Sequence, residues 1–360
     1  MRLVLALLFT TVVAAQPVVD TGSINGAKYR IDVPEDWNKQ LVIYCHGYAT
    51  EPANPDNARQ TELLQVFLDQ GFAVARSGYA AGGWAIAEAV QDTEALRRYF
   101  VTNYGRAERT YVTGHSMGGF LTMTIMERFP DIYAGGMPMC GPLAPASWFM
   151  ERRVFDLRVV FDYYFPGALP SPVDVPADFR GGKDQIDRLL AVLESAPDKA
   201  AAVRQYSGIH RDEELANVLT LWTYILMDLQ QRSGGNPFDN RDTIYSGSPD
   251  DNALNDGVRR YAADPGADSF LRANYAPSGR LGGPMLHLAN VYDPLVPPWV
   301  PNTYMDLAER ANNEELFAQQ YIKTPGHCRI SQDEIRAGFA ELRKWVETGE
   351  RPTGGSVPER

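Results

Sequence analysis

The chain has 360 residues, 44% of them hydrophobic, enough apolar material for one large α/β domain with an insertion or for two domains. A formal charge of −11 and a pI near 5.0 argue against nucleic acid or an anionic membrane surface as partner, and read instead as the solubility of a secreted protein. Three cysteines, Cys45, Cys140 and Cys328, allow at most one disulfide and leave an odd thiol. Cys140–Cys328 ranks first as the bridge, against the alternative of three small buried thiols.

Met1-Arg2 supplies a positive charge, Leu3 to Val13 an apolar core, and Val13-Ala14-Ala15 the small residues of a cleavage site before Gln16. The pattern predicts a secretory signal over residues 1–15 and a mature chain that works outside the cytoplasm. The apolar run is too short for a stable membrane anchor. No cysteine stands at the cut to carry a lipid.

From there the chain alternates. Val18 to Pro34 predicts a β-hairpin around Asn25-Gly26. Leu41 to Cys45 is a continuous apolar run, as in a strand buried on both faces, and leads into His46-Gly47-Tyr48. Glu62 to Gln70 predicts a helix closed by Gly71, Phe72 to Ala75 a strand, and Ala85 to Tyr104 a long helix. Thr110 to Thr113 is the next strand, Phe120 to Phe129 a helix stopped by Pro130, and Tyr133 to Cys140 a sixth strand.

Residues 146–280 break this rhythm and are mainly helical, most clearly Asp212 to Gln231 with its stripe Leu215, Val218, Leu219, Trp222, Ile225, Leu226 and Leu229. That stripe predicts a packed core face. Trp148-Phe149-Met150 and Phe161 to Phe165 concentrate aromatics, and composition between Ser233 and Gly283 predicts long loops. The rhythm resumes with a strand at Pro284 to Ala289, a helix at Asn302 to Asn312, a strand at Phe317 to Lys323, and an amphipathic helix from Ser331 to Thr348 opened by a capping box with Glu334. Such alternation predicts a mostly parallel sheet covered by helices, made of residues 16–145 and 281–360, with 146–280 a helical cap inserted after the sixth strand.

Gly114-His115-Ser116-Met117-Gly118 is a G-x-S-x-G pattern between a strand and a helix, the context of a nucleophile elbow. A serine hydroxyl needs a base to take its proton, and the base needs a carboxylate to orient it. Of five histidines, only His327 follows the last strand in a Pro/Gly loop. Asp293 sits just past the seventh strand before Pro294, where it also reads as an Asx-turn residue; Asp156 and Asp162 are the alternatives. Two backbone N–H groups should face the oxyanion, that of Met117 after the nucleophile and that of Tyr48 in the loop after the third strand.

On these residues the chain resembles the α/β-hydrolase superfamily over about Val18–Leu143 and Pro284–Glu347. The order Ser116, Asp293, His327 is the family's order of nucleophile, acid and base. The resemblance implies a serine hydrolase that cleaves small or oligomeric carboxylic esters without a cofactor; it stops at the edge of the cap, whose many aromatics are expected to line the acyl or alcohol pocket. His327-Cys328 is similar to the tannase and feruloyl-esterase pattern, in which that cysteine pairs with one just before the serine. Here the earlier position is His115, and a bridge from Cys328 to Cys140 would tie the histidine loop to the sixth-strand loop.

Rival expectations stay open. An aminopeptidase of this fold needs carboxylates in the cap to hold the substrate's amine, and Glu213-Glu214 are candidates, although acidic residues in a helix's first turn are common. An acyltransferase or a non-catalytic binding protein are further alternatives. No metal is expected: neither H-E-x-x-H nor paired cysteines occur, and Asp250-Asp251-Asn252 reads as a solvated loop in preference to a calcium site.

Overall fold

The computed structural model describes residues 16–274 and 276–358; the expected signal sequence lies outside them. Strands β1 (Val18–Ile24) and β2 (Ala27–Val33) form the expected hairpin, with Asn25 and Gly26 both at positive φ (51° and 89°) in the turn. The remaining strands are β3 (Gln40–Cys45), β4 (Ala73–Ser77), β5 (Arg109–His115), β6 (Gly135–Met139), β7 (Met285–Asn290) and β8 (Phe317–Ile322). All eight join one sheet in the order β1-β2-β4-β3-β5-β6-β7-β8. β2 runs antiparallel to β4, and from β4 to β8 every pairing is parallel. With helices on both faces, this is the α/β-hydrolase fold.

The central strand β3 is buried on both faces, which explains its unbroken apolar run from Leu41 to Cys45. Along β3, Leu41, Ile43 and Cys45 face one core, shared with α2 (Ile86–Tyr104) and α3 (Met117–Arg128). Val42 and Tyr44 face the other, shared with α1 (Ala58–Leu68) and α12 (Gln332–Thr348). Ser331 caps α12 in the predicted capping box with Glu334.

Between β6 and β7 the chain is helical: α4 (Ala146–Phe149), a π-helical turn over Met150–Phe155, α5 (Asp156–Tyr164), α6 (Lys183–Glu194), α7 (Pro197–Ser207), α8 (Asp212–Ser233), α9 (Asp251–Gly257) and α10 (Pro265–Ala273). The last two occupy a stretch whose composition predicts loops. The Asp and Asn residues that suggest a loop are serving helix ends: Asp250 accepts from the Ala253 N–H as the cap of α9, and Asp251 accepts from the N–H groups of Gly247 and Ser248. The helix expected from Asn302 is α11 (Trp299–Arg310), which begins three residues earlier. Pro301 falls in its first turn, where a missing N–H costs nothing.

Helix α8 is bonded near both ends to segments that flank the sheet. Near its start, the Tyr292 hydroxyl donates to Glu214 at 2.6 Å. Near its end, Asp228 accepts from the Trp84 N–H at 2.7 Å, and Arg232 donates to the Gly82 carbonyl and to Glu88. The predicted stripe is buried between these fastenings, with Leu215, Leu219 and Leu226 fully enclosed. Truncating Leu219 to alanine should leave a cavity and cost about 2–5 kcal/mol. Urea denaturation should read this as a lower midpoint with an unchanged slope.

Candidate active site

β5 leads into Ser116 and α3 leads away from it, with Ser116 held at φ 57° and ψ −120°. A non-glycine residue there stores strain on the order of 1–3 kcal/mol, which the surroundings must hold in place. Backbone contacts do so. The Ser116 N–H donates to the Met139 carbonyl at 2.9 Å, and the Ser116 carbonyl accepts from Gly119 and Phe120. The flanking glycines are a steric requirement. A Cβ at Gly118 would stand 2.0 Å from the Cys45 carbonyl oxygen, and one at Gly114 would stand 2.4 Å from the same atom.

The loop after β3 passes directly beside the elbow: a Cβ at Gly47 would lie 3.2 Å from the His115 carbonyl and 3.4 Å from the Ser116 Cβ. His46 shapes this loop. Its Nδ1 lies 2.6 Å from the Gly47 carbonyl and its ring stacks on Tyr79 at 4.0 Å. Burial lowers its pKa, so it stays neutral. Tyr48 follows, with its phenol pushed up by burial and by the nearby Asp228 carboxylate.

His327 lies between two partners. Its Nδ1 is 2.7 Å from Asp293 Oδ2, and its Nε2 is 2.9 Å from Ser116 Oγ. With Nδ1–H donating to the carboxylate, Nε2 is left to accept from the serine hydroxyl. Asp293 is buried, and its other oxygen accepts from the N–H groups of Leu295 and Val296, both at 2.9 Å. The Asx turn and the contact with His327 are therefore two uses of one carboxylate. Asp156 and Asp162 are elsewhere. Asp156 accepts from the Tyr245 hydroxyl and faces Arg152, while Asp162 pairs with Arg158 at 3.9 Å.

Cys140 and Cys328 are joined by a disulfide, with Cα atoms 5.3 Å apart. The bridge ties the residue after His327 to the loop after β6, and Cys328 Sγ lies 3.4 Å from His327 Nε2. Cys45 is free and buried, its thiol pushed up to about 12 by desolvation. His115 is held down near 4 by burial and by the neighbouring His327, and His287 near 4 by burial within β7. His210 stacks on Tyr292 at 4.0 Å.

A pocket of about 930 Å³ opens beside His327, bounded by α6, α8, Thr50 and Glu51, and Pro294 and Leu295. Its apolar wall is Ile186, Val218, Leu221, Tyr224 and Met227. The aromatic clusters expected to line it do not. Phe149 packs edge-on against Trp222 inside the core, Trp148 against Trp299, and Phe161 stacks on Phe165. Aromatic density alone does not distinguish a pocket wall from the interior of a helical bundle. The available signal was the spacing of Val218, Leu221 and Tyr224, which puts a second apolar stripe on α8 beside the core stripe. Of Glu213 and Glu214, only Glu214 reaches the pocket, where Arg211 and Tyr292 already engage it.

Residues 20–249 match the tannase-like family of unknown function DUF6351, more than half of the 360-residue chain. The chain belongs to that family. An o-phthalyl amidase from Xanthobacter agilis is 22% identical over 402 aligned residues, covering 91% of this chain and 87% of that protein. Among solved structures, an esterase from Pyrococcus furiosus is 12% identical with a TM-score of 0.46, over 95% of this chain and 98% of that one. An acylaminoacyl peptidase from Pyrococcus horikoshii is 12% identical with a TM-score of 0.48 over 96% of this chain. This chain spans only 42% of that peptidase. By their names, these proteins are hydrolases: an amidase, an esterase and a peptidase.

The buried Asp156 carboxyl has a measurable consequence. Desolvation pushes it up from 3.8 to about 6. Between those values the folded state binds more protons than the unfolded state, so stability falls as pH rises through this window. Asp156→Asn removes that slope. Relative to the wild type, the variant should gain on the order of 2 kcal/mol at pH 7.5 over its value at pH 3.5. Paired urea titrations at the two pH values measure the difference.

Proposed function

We propose that the protein is a secreted serine hydrolase that cleaves carboxylic esters through an acyl-enzyme. The observation that carries this is His327 bridging Ser116 Oγ at 2.9 Å and Asp293 at 2.7 Å, on an elbow that leaves the serine half-buried. Ser116 attacks the acyl carbon while His327 Nε2 takes its proton, and Asp293 holds the imidazole and stabilises the imidazolium. His327 then protonates the departing alcohol, and water enters by the same base to release the acid. Every proton and electron pair in this cycle is supplied by these side chains and water.

The developing oxyanion is met by the N–H groups of Met117 and Tyr48. Met117 is the first residue of α3, a position where an α-helical N–H has no intrahelical acceptor and the helix dipole favours negative charge. The nearness of Gly47 to Ser116 supports Tyr48 as the second donor. Residues 146–280 act as a cap whose α8 wall selects the substrate, and its fastenings through Glu214, Asp228 and Arg232 support a cap held against the core. A pocket of about 930 Å³ with an apolar wall suits a moderately sized apolar or aromatic ester. The disulfide and the apolar stretch Leu3 to Val13 support an extracytoplasmic location.

One observation favours a second reading, cleavage of amides by the same residues: the relative that matches 91% of the chain is named an o-phthalyl amidase. The aminopeptidase reading is weaker, because Glu214 is occupied by Arg211 and Tyr292. The test is one panel of p-nitrophenyl esters graded by acyl length and aromaticity, beside p-nitroanilides with free and with blocked amines. Ester turnover should exceed anilide turnover, and blocking the amine should not reduce the latter. Ser116→Ala should lower kcat by about 10⁴-fold or more and abolish labelling by a fluorophosphonate. Retention of activity by that variant would remove Ser116 as the nucleophile.

A further inference from the structure

Arg153 lies in the π-helical turn at the start of the insertion and is 4% exposed. Among the described residues it forms no salt bridge. Its guanidinium donates instead to two carbonyls from distant segments: Ser207 at the end of α7, at 2.7 Å, and Pro294, the residue after Asp293. The Nε of the same group has no partner. A buried cation without a paired carboxylate is costly to fold, and such groups cluster where charge serves a site.

The geometry points to Arg153 as a positioning residue for Asp293 and His327, an inference that rests on the serine-hydrolase reading above. Two effects follow from its place. The bond to the Pro294 carbonyl anchors the loop whose N–H groups and carboxylate orient His327. The charge sits close to Asp293, the largest opposing influence on a guanidinium that burial pushes down to about 10. It remains charged at neutral pH and places a fixed positive charge beside the Asp293 carboxylate that His327 touches. The other groups facing Arg153 are Tyr206 from α7 and Tyr292 from the Asp293 loop; Ser116 and His115 face His327 from the elbow. Arg153 is not in the wall of the pocket beside His327, so substrate binding should not depend on it directly.

The experiment compares Arg153→Met, which removes charge and fork, with Arg153→Lys, which keeps the charge but cannot hold two carbonyls in one planar fork. Active sites are first counted by fluorophosphonate burst, so that misfolded protein is excluded. For Arg153→Met, kcat per active site should fall about tenfold or more while KM stays within about threefold. The acid limb of its pH–rate profile should move up by about half a unit or more, because a fixed positive charge is removed from beside the bonded Asp293–His327 pair. Arg153→Lys should keep the wild-type acid limb and lose only part of kcat. If the Met variant does not fold, Arg153→Gln takes its place, with a donor for one carbonyl and no charge. A neutral variant with wild-type kcat per site and an unmoved acid limb would overturn the inference, leaving Arg153 as a cap for α7. So would a Lys variant whose limb moves as far as the Met variant's. Failure of the hydrolase reading is a different result: wild-type protein with no turnover that depends on Ser116.

Discussion

The carbonyl oxygen of Cys45, at the end of β3, occupies the space a side chain would need at either position 114 or position 118. That backbone contact joins the central strand to the turn at Ser116 and lets the chain double back under strain. Met117 begins α3 because the turn has been made, and the loop after β3 runs past Ser116 because Gly47 lets it come within van der Waals reach. A side chain at Gly114 or Gly118 would push the serine and the helix terminus away from β3, and one at Gly47 would crowd the Tyr48 loop against Ser116. The site is therefore built first by close backbone approach, and its side chains are added to a frame already closed.

Two further ties reach the same frame from the C-terminal half of the fold. The disulfide holds Cys328 against the loop after β6, and Asp293 spends one oxygen on its own turn and the other on His327. His327 is thus restrained through its backbone by Cys328 and through its ring by Asp293. Its loop needs no secondary structure of its own to hold the ring over Ser116. His115, held down near 4 by burial and by His327, adds no positive charge beside that ring at neutral pH.

What was legible in the sequence follows from the same physics. G-H-S-M-G is readable because close backbone approach tolerates only glycine, and glycine leaves a trace in the sequence. The sheet is readable because its central strand is buried on two faces and so runs apolar from Leu41 to Cys45, with shorter apolar stretches such as Phe72 to Ala75 repeating around it. His327 and Asp293 are readable because parallel strands place the loops after them on one edge, so chain order predicts proximity. The insertion resists such reading. Val218, Leu221 and Tyr224 look like any helix core, and only the neighbouring α6 determines that they face a cavity. Arg153 within Glu151-Arg152-Arg153-Val154 has the appearance of a solvated charge, yet it is buried. Asp250 and Asp251 suggest a loop because caps and loops draw on the same residues.

The fastenings of α8 bear on how the two halves of the molecule divide their work. Tyr292 is adjacent to Asp293, and its hydroxyl both donates to Glu214 of α8 and accepts from the His210 N–H. Arg153, from the start of the insertion, holds the carbonyl on the other side of Asp293. The carboxylate that orients His327 is therefore flanked on both sides by bonds to the insertion. A cap that swung freely would loosen the loop it is bonded to. α8 turns Leu221 and Tyr224 toward the pocket, while Arg153 holds the Asp293 loop from outside the pocket wall. Leu221 and Tyr224 of the α8 wall take no part in the bonds that hold the Asp293 loop in place.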